Sequence, residues 1–153
     1  MRKDNIYSKT GVPSKKVKKI YFTGPILARD ISVVIKSTNE KIYHVTFNNG
    51  SRTKLHSHDG GQKLIVTKGT GSLIIYKKLL KAKNNFCIKV TKIIKLKIGD
   101  CVHIPAMKLH THGSTDKNTS FSHIAINSFP EKNREPKTIW YESDFKSKVS
   151  TVL

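Results

Sequence analysis

Histidine is the residue of this sequence whose number and spacing best suit chemistry. His56 and His58 are separated by one residue, His110 and His112 repeat that spacing, and His123 lies in a third segment. Residues two apart on a β-strand project to the same face, so each pair would present two imidazoles to one side. Imidazole is the commonest protein ligand of first-row transition metals, and three or four such groups hold a catalytic ion. The spacing therefore predicts a metal site assembled from several strands.

A structural role is the alternative for each of these histidines. One pair with a single intervening residue is more often two exposed or hydrogen-bonded side chains, but two such pairs in a β-rich chain favour the metal site. His44 alternates with Val45 and is predicted to point outward. His103 is assigned no role.

The segments that hold the histidines are typical of short strands separated by turns. Glycine, asparagine and aspartate end the runs, as in Asn48-Asn49-Gly50 and Gly99-Asp100. Only residues 142–149 look helical. Eight or more short strands at this spacing predict an all-β fold, a small β-barrel or jelly roll, with a short C-terminal helical segment. The predicted strands are 20–24, 31–37, 41–48, 52–58, 62–69, 72–78, 86–97, 101–106, 109–113 and 120–128.

Length and composition indicate one domain. The chain has 153 residues, 37% of them hydrophobic, which is enough for one modest core. We expect a flexible basic arm over residues 1–16, a barrel domain over 17–145 and a C-terminal tail over 146–153. Cys87 and Cys101 lie in apolar runs and are expected to be buried free thiols. Without a signal peptide or an apolar stretch of about 20 residues, the chain is expected to be cytoplasmic, with no membrane partner.

The charge of the chain raises nucleic acid as a partner. The formal net charge is +19, a field that would attract a polyanion. Of the 29 basic residues, however, 25 are lysine and only four are arginine, the usual residue for reading bases and gripping phosphate. The lysines often alternate with apolar residues, as on the solvated face of a strand. Nucleic acid is therefore not an expected partner.

The sequence around the first histidine pair resembles the first motif of the cupin family. That motif consists of a glycine, five residues, H-x-H, three or four residues, an acid, six residues and a glycine. Here Gly50 is followed by SRTKL, His56-Ser57-His58, three further residues, Gln62, KLIVTK and Gly69. Every spacing fits, and Gln62 stands where the family usually has glutamate.

The second cupin motif begins with glycine, five residues and Pro-x-Gly before a histidine. Gly99, Pro105 and His110 follow this pattern, and Met107 stands in place of the glycine. Glycine supplies a backbone freedom that methionine lacks, so the conformation of the turn before His110 is left open.

Longer runs, including VTFNNGSRTKLHSHDGGQKLIVTKGTG, GDCVHIPAMKLHTHGS and SHIAI, are similar to the small single-domain cupins associated with carboxymuconolactone decarboxylases. That group includes manganese-dependent bacterial hydroxynitrile lyases. The resemblance covers roughly residues 17–145. It implies that His56, His58, Gln62 and His110 hold a divalent transition metal, and that the chain forms a homodimer or homotetramer.

The implied ligand set suits acid–base chemistry. Three imidazoles and one amide oxygen leave a divalent ion its whole charge, whereas glutamate would reduce it, and a more electropositive ion is a better Lewis acid. Dioxygen activation is favoured by anionic ligands instead. Manganese is the favoured ion, and iron, nickel and zinc are the alternatives.

The remaining pocket residues lead to a hypothesis about the reaction. His112 is the candidate general base and His123 a candidate holder of a second proton, although a buried structural role stays open for both. By the resemblance, Tyr43, Val45 and Asn127 line the substrate pocket. We expect a metal-dependent, lyase-like enzyme acting on a cyanohydrin or another small hydroxy or carbonyl compound. The alternatives are a cupin dioxygenase with a phenolic substrate and a non-catalytic cupin that binds a metal or a small ligand.

Overall fold

Strands dominate the secondary structure of the protein. The computed structural model describes residues 1–7, 12–13, 18–79, 85–141 and 148–152. Apart from the helix α1 (Ser32–Ile35) and a 3-10 turn at Lys19–Tyr21, the elements in these ranges are strands, as the expected all-β class requires. They are β1 (Val12–Pro13), β2 (Ile26–Asp30), β3 (Glu40–Phe47), β4 (His56–His58), β5 (Gln62–Lys68), β6 (Thr70–Lys78), β7 (Asn85–Lys97), β8 (Cys101–Ile104), β9 (Leu109–Ser114), β10 (Phe121–Ser128), β11 (Thr138–Trp140) and β12 (Lys148–Val152).

The strands form two six-stranded sheets. One has the order β1-β2-β3-β10-β5-β8 and the other β11-β4-β9-β6-β7-β12. The pairs are antiparallel except for β12 on β7, which is parallel. Neighbours such as β3 and β10 are distant in sequence, which is the connectivity of a jelly roll. The predicted jelly-roll class is therefore confirmed.

The hydrophobic core lies between the inner faces of the two sheets. On β3, Val45 and Phe47 are buried and His44 lies on the opposite face, so the predicted alternation is confirmed. Removal of these apolar side chains from water supplies most of the stabilisation of such a fold. The main cluster consists of Val45, Phe47, Leu64, Val66, Leu73, Leu96, Ile104, Phe121 and Ala125.

The predicted strands over residues 20–24 and 31–37 are wrong. Lys19–Tyr21 form the 3-10 turn, and Phe22 makes only an isolated bridge to Thr53. Residues 32–35 form the single turn of helix α1, although Val33, Val34 and Ile35 favour strands. Asp30 accounts for the difference, because its carboxylate accepts hydrogen bonds from the Ser32 hydroxyl and from the Val33 N–H. A side-chain acceptor of this kind satisfies donors at the start of a helix and outweighs the weak propensity.

Two other expectations also need correction. Both cysteines are free thiols, as expected, but neither is fully buried: Cys87 is half-buried and Cys101 is exposed. Cys101 is exposed because it is the first residue of β8 and directly follows the Gly99-Asp100 turn. Most of the expected C-terminal helix, residues 142–147, lies outside the described residues, and its last two belong to β12. The proposed domain boundaries stay a prediction. None of the helices in the described ranges is long and apolar enough to cross a membrane.

Candidate metal centre

The predicted site residues meet at one end of the core. A cavity of about 270 Å³ opens between the sheets, and eight of the nine residues line it. The ninth, His110, lies directly opposite His56 on the neighbouring strand, with the two rings 4.2 Å apart. The eight on the cavity wall are Tyr43, Val45, His56, His58, Gln62, His112, His123 and Asn127.

His56 and His110 are held in the same way. The Nδ1 atom of His56 lies 2.8 Å from the carbonyl oxygen of Lys54, and the Nδ1 atom of His110 lies 2.7 Å from that of Lys108. A carbonyl only accepts hydrogen bonds, so Nδ1 of each neutral ring carries the proton. The Nε2 atom is left with a lone pair, the arrangement that metal-binding histidines commonly adopt.

The other two expected ligands are also oriented by neighbours. His58 Nδ1 lies 2.9 Å from the Thr138 hydroxyl of β11. The Gln62 amide donates from Nε2 to Asn127 Oδ1, at 2.8 Å. In each case one polar atom is engaged and the other is left facing the site.

The atoms that face the site have no protein partner. Among the described residues, His58 Nε2, Gln62 Oε1 and His110 Nε2 are buried and accept no hydrogen bond. Leaving such a group unsatisfied costs about 1–3 kcal/mol, which a bound cation would recover. The residues therefore fit a divalent metal.

The structure also brings a further histidine close to the expected set. Ligand atoms of His56, His110 and His112 all lie within 4.8 Å of one another. The ring of His58 lies 5.0 Å from that of His56 and 5.5 Å from that of His110. His112 is thus placed within reach of the same ion as the predicted ligands. The ligand set itself stays a prediction.

Burial keeps these imidazoles uncharged. Desolvation, followed by the charge of His110, lowers the pKa of His58 to about 3. Desolvation lowers the pKa of His110 to about 4 and that of His56 well below its ordinary value. A neutral imidazole is the form that binds a metal, so these side chains are ready to do so at neutral pH.

His112 and His123 form a buried pair beside the expected ligands. His123 Nε2 lies 3.0 Å from His112 Nδ1, and the side chains are 0% and 4% exposed for His123 and His112 respectively. Desolvation lowers the pKa of His123 to about 3 and that of His112 well below its ordinary value. Both rings are therefore neutral, and one N–H lies between them. The pair can hold a proton at a defined atom next to the cavity.

The cavity wall includes aromatic residues that the sequence did not single out. Trp140 stacks on Tyr21 with ring centroids 4.3 Å apart and on His56 at 4.5 Å. Tyr43 is neutral, because burial and the charges of Asp30 and Glu135 raise its pKa to about 12. Residues 129–141 have no strand pattern, so the sequence does not predict where Trp140 lies. The only feature that could have drawn attention to it is that it is the single tryptophan of the chain.

Residues 134–140, the segment that ends at Trp140, are held against the cavity by ion pairs and a hydrogen bond. Asp59 accepts from the Arg134 guanidinium and from the Lys137 N–H, each at 2.8 Å. Lys41 of β3 pairs with Glu135 at 2.9 Å on the other side. Asp59 directly follows the first histidine pair, so this segment is fixed relative to the site.

The two histidines without an assigned role lie outside the site. His44 contacts the Thr67 hydroxyl at 3.2 Å and lines a separate surface pocket with Tyr7. His103 is exposed on β8. The outward direction of His44 agrees with the sequence analysis.

Comparison with known proteins finds solved structures with the same architecture. Neither a protein-family model nor a curated protein sequence matches the chain. A cupin-like protein from Thermotoga maritima MSB8 is 30% identical, with a TM-score of 0.63 over 92% of this chain and 90% of that one. A cupin superfamily protein from Desulfitobacterium hafniense DCB-2 is 16% identical, with a TM-score of 0.50 over 69% of this chain and 78% of that one.

An enzyme of known activity shares the fold alone. Oxalate decarboxylase from Bacillus subtilis is 12% identical, with a TM-score of 0.54 over 75% of this chain but only 27% of that chain. The histidine spacing, the facing sheets and the 30% identity with the Thermotoga maritima protein lead to one conclusion: the chain belongs to the cupin superfamily.

Proposed function

We propose that the protein is a metal-dependent, lyase-like enzyme that acts on a cyanohydrin or another small hydroxy or carbonyl compound. The proposal depends on one observation. Uncharged ligand atoms of His58, Gln62 and His110 lie without hydrogen-bond partners beside the buried pair of His112 and His123. The first group could bind a cation, and the histidine pair could accept and hold a proton.

The proposed cofactor is a divalent transition metal, with manganese favoured. A solved oxalate decarboxylase is described as having Mn(II) centres, which supports a manganese site within this fold. Bound to neutral ligands, such an ion supplies a Lewis acid that lowers the pKa of a coordinated hydroxyl group. His56, His58, Gln62 and His110 would hold it.

His112 would remove the proton of the substrate hydroxyl. This requires that its Nδ1–H donates to His123 Nε2, because the lone pair of His112 Nε2 then accepts the proton. The hydrogen bond to His123 would hold the His112 ring in the orientation that this transfer needs. Proton transfer in the opposite direction completes the reverse, carbonyl-adding reaction.

The cavity would restrict the substrate by size. Its volume of about 270 Å³ suits a small organic molecule. Tyr43 and Trp140 contribute aromatic surface to its wall, and the neutral phenol of Tyr43 adds no charge.

The test combines metal analysis with an activity measurement. The purified protein is expected to contain a divalent metal, Gln62→Ala and His110→Ala to bind it more weakly and retain less of it, and the metal-loaded protein to cleave mandelonitrile or a related hydroxy compound. His112→Ala is expected to reduce cleavage by at least about 100-fold. His103→Ala, at an exposed position, is the control and should leave both unchanged.

Two outcomes would contradict the proposal. Metal-loaded protein without activity on any hydroxy or carbonyl compound would favour a non-catalytic, metal-binding cupin. Oxygen consumption by iron-loaded protein with a phenolic compound would favour a dioxygenase instead.

A further inference from the structure

The oxygen and the nitrogen of the Gln62 side-chain amide interact with a cation in opposite ways. The oxygen binds a metal ion, whereas the NH₂ group donates hydrogen bonds and repels one. A rotation of the terminal torsion by 180° exchanges them at little intrinsic cost. Something in the site must therefore determine which end faces the histidines.

Asn127 is placed to determine it. Gln62 begins β5 and Asn127 lies near the end of β10, and the two residues are directly opposite each other in the antiparallel pair. The side chains are 3% and 8% exposed, and Gln62 Nε2 donates to Asn127 Oδ1 at 2.8 Å. The hydrogen bond therefore forms in a buried environment, where losing it is costly.

The opposite orientation of Gln62 is penalised twice. With the Asn127 amide in its observed orientation, it would bring Gln62 Oε1 against Asn127 Oδ1, so that two acceptors face each other without a proton. With a cation bound at the Nε2 atoms of His58 and His110, it would also point an N–H at that cation. In the observed orientation Oε1 is buried and has no partner among the described residues, as a metal ligand requires.

We propose that Asn127 is a positioning residue that orients the Gln62 amide so that its oxygen, and not its nitrogen, faces the metal. This role rests on the proposed metal site. It differs from the pocket-lining role that the sequence suggests for Asn127, because Asn127 acts through Gln62 and not on the substrate.

The test is a double-mutant cycle on Mn²⁺ affinity, measured by calorimetry with the full-length protein. Asn127→Leu removes the acceptor at similar volume and is expected to weaken binding about 10–100-fold, the usual effect of losing a partner of a ligand. Gln62→Ala should weaken it as well. The double variant should bind no more weakly than Gln62→Ala alone, since Asn127 has no other route to the ion.

Three further variants separate positioning from folding. Asn127→Asp keeps an oxygen acceptor and should retain affinity within a few-fold, and Asn127→Ala replaces the leucine variant if that protein does not fold. Ser122→Ala, which removes the hydrogen bond to Thr46 elsewhere on β10, is the matched control and should not change affinity. The Mn(II) electron paramagnetic resonance spectrum should change in Asn127→Leu and stay as wild type in Ser122→Ala.

The outcomes distinguish the inference from the proposed function. Wild-type protein that binds no Mn²⁺ overturns both. Normal binding by Asn127→Leu, additive losses in the double variant, or an equal loss in Asn127→Asp overturns the positioning role and leaves the proposed metal site standing.

Discussion

Met107 adopts a backbone conformation that normally requires glycine. Its φ angle is 62°, in the left-handed region, and its N–H donates to the carbonyl of His58 at 2.7 Å. The turn before His110 therefore has a left-handed residue at the position where the cupin motif usually has glycine, and methionine accepts the strain. The side chain is 57% exposed, so little packing compensates.

Replacement of Met107 by glycine should stabilise the protein. The left-handed conformation costs a side-chain-bearing residue about 1–2 kcal/mol, and the greater flexibility of unfolded glycine offsets about 0.5–1 kcal/mol of the gain. We expect Met107→Gly to raise the free energy of unfolding by about 0.5–1 kcal/mol in urea denaturation. Met107→Ala, which keeps the strain, is the control. A glycine variant less stable than the alanine variant would contradict this reading.

The buried histidines predict a stability that depends on pH. In the unfolded chain a histidine has a pKa of about 6.5, whereas burial lowers the pKa of His58 and His123 to about 3 and that of His110 to about 4. Between these values the unfolded state binds more protons than the folded state. Stability is therefore fully present above about pH 6.5 and is lost as the pH falls toward 4.

Urea denaturation of the metal-free protein at pH 7.5, 6 and 5 measures this effect. The free energy of unfolding should decrease with falling pH by up to about 1.4 kcal/mol per pH unit for each buried histidine. His123→Phe should reduce the slope, and His103→Gln, at an exposed position, should not. A flat profile would show that these rings accept protons in the folded state.

At the level of strands, the position of His112 depends on close packing of β9 against the chain before β4, where Gly113 contacts Ser51 and Arg52. Arg52 donates to the Ser72 hydroxyl at 2.9 Å and to the Gly113 carbonyl at 3.4 Å, which joins three parts of the chain. A Cβ atom on Gly113 would lie 2.5 Å from the Arg52 Cα atom and 2.6 Å from the Ser51 carbonyl oxygen. Only glycine permits this contact.

We expect Gly113→Ala to destabilise the protein by about 3 kcal/mol and to displace the adjacent His112. Gly99→Ala is the matched comparison, because Gly99 also has a positive φ, +88°, but has nothing within 4 Å of the added carbon. It should cost only about 1 kcal/mol. Thermal unfolding measures both, and equal losses would mean that the steric contact at Gly113 is unimportant.

For the whole molecule, the charge is spread over solvated strand faces. Lys89, Lys92 and Lys95 of β7 are exposed, as their alternation predicts. Arg52 donates to Ser72 and Arg134 pairs with Asp59, so both guanidinium groups already have partners within the protein.

Nucleic acid binding should accordingly be weak. We expect a dissociation constant above about 1 μM for duplex DNA at physiological salt, with a steep decrease in affinity as salt rises. Fluorescence anisotropy with labelled duplex measures it. Tight binding at 150 mM salt would assign the +19 charge a partner. The homodimer or homotetramer stays a prediction, and light scattering at the same salt measures it.

Much of the candidate site is readable from local pattern. Alternation with period two and the glycine turns are properties of neighbouring residues, so the strands that carry His56, His110 and His123 were predictable. The H-x-H spacing places two rings on one face whatever the rest of the chain does. The family resemblance rests on the same short runs.

Long-range contacts settled the rest. The strand β11 exists because β4 offers it a partner. The orientations of the His58 ring and the Gln62 amide depend on contacts with Thr138 and Asn127, which are 80 and 65 residues away in sequence. No local pattern encodes such pairs, because their energies arise only when folding brings the strands together.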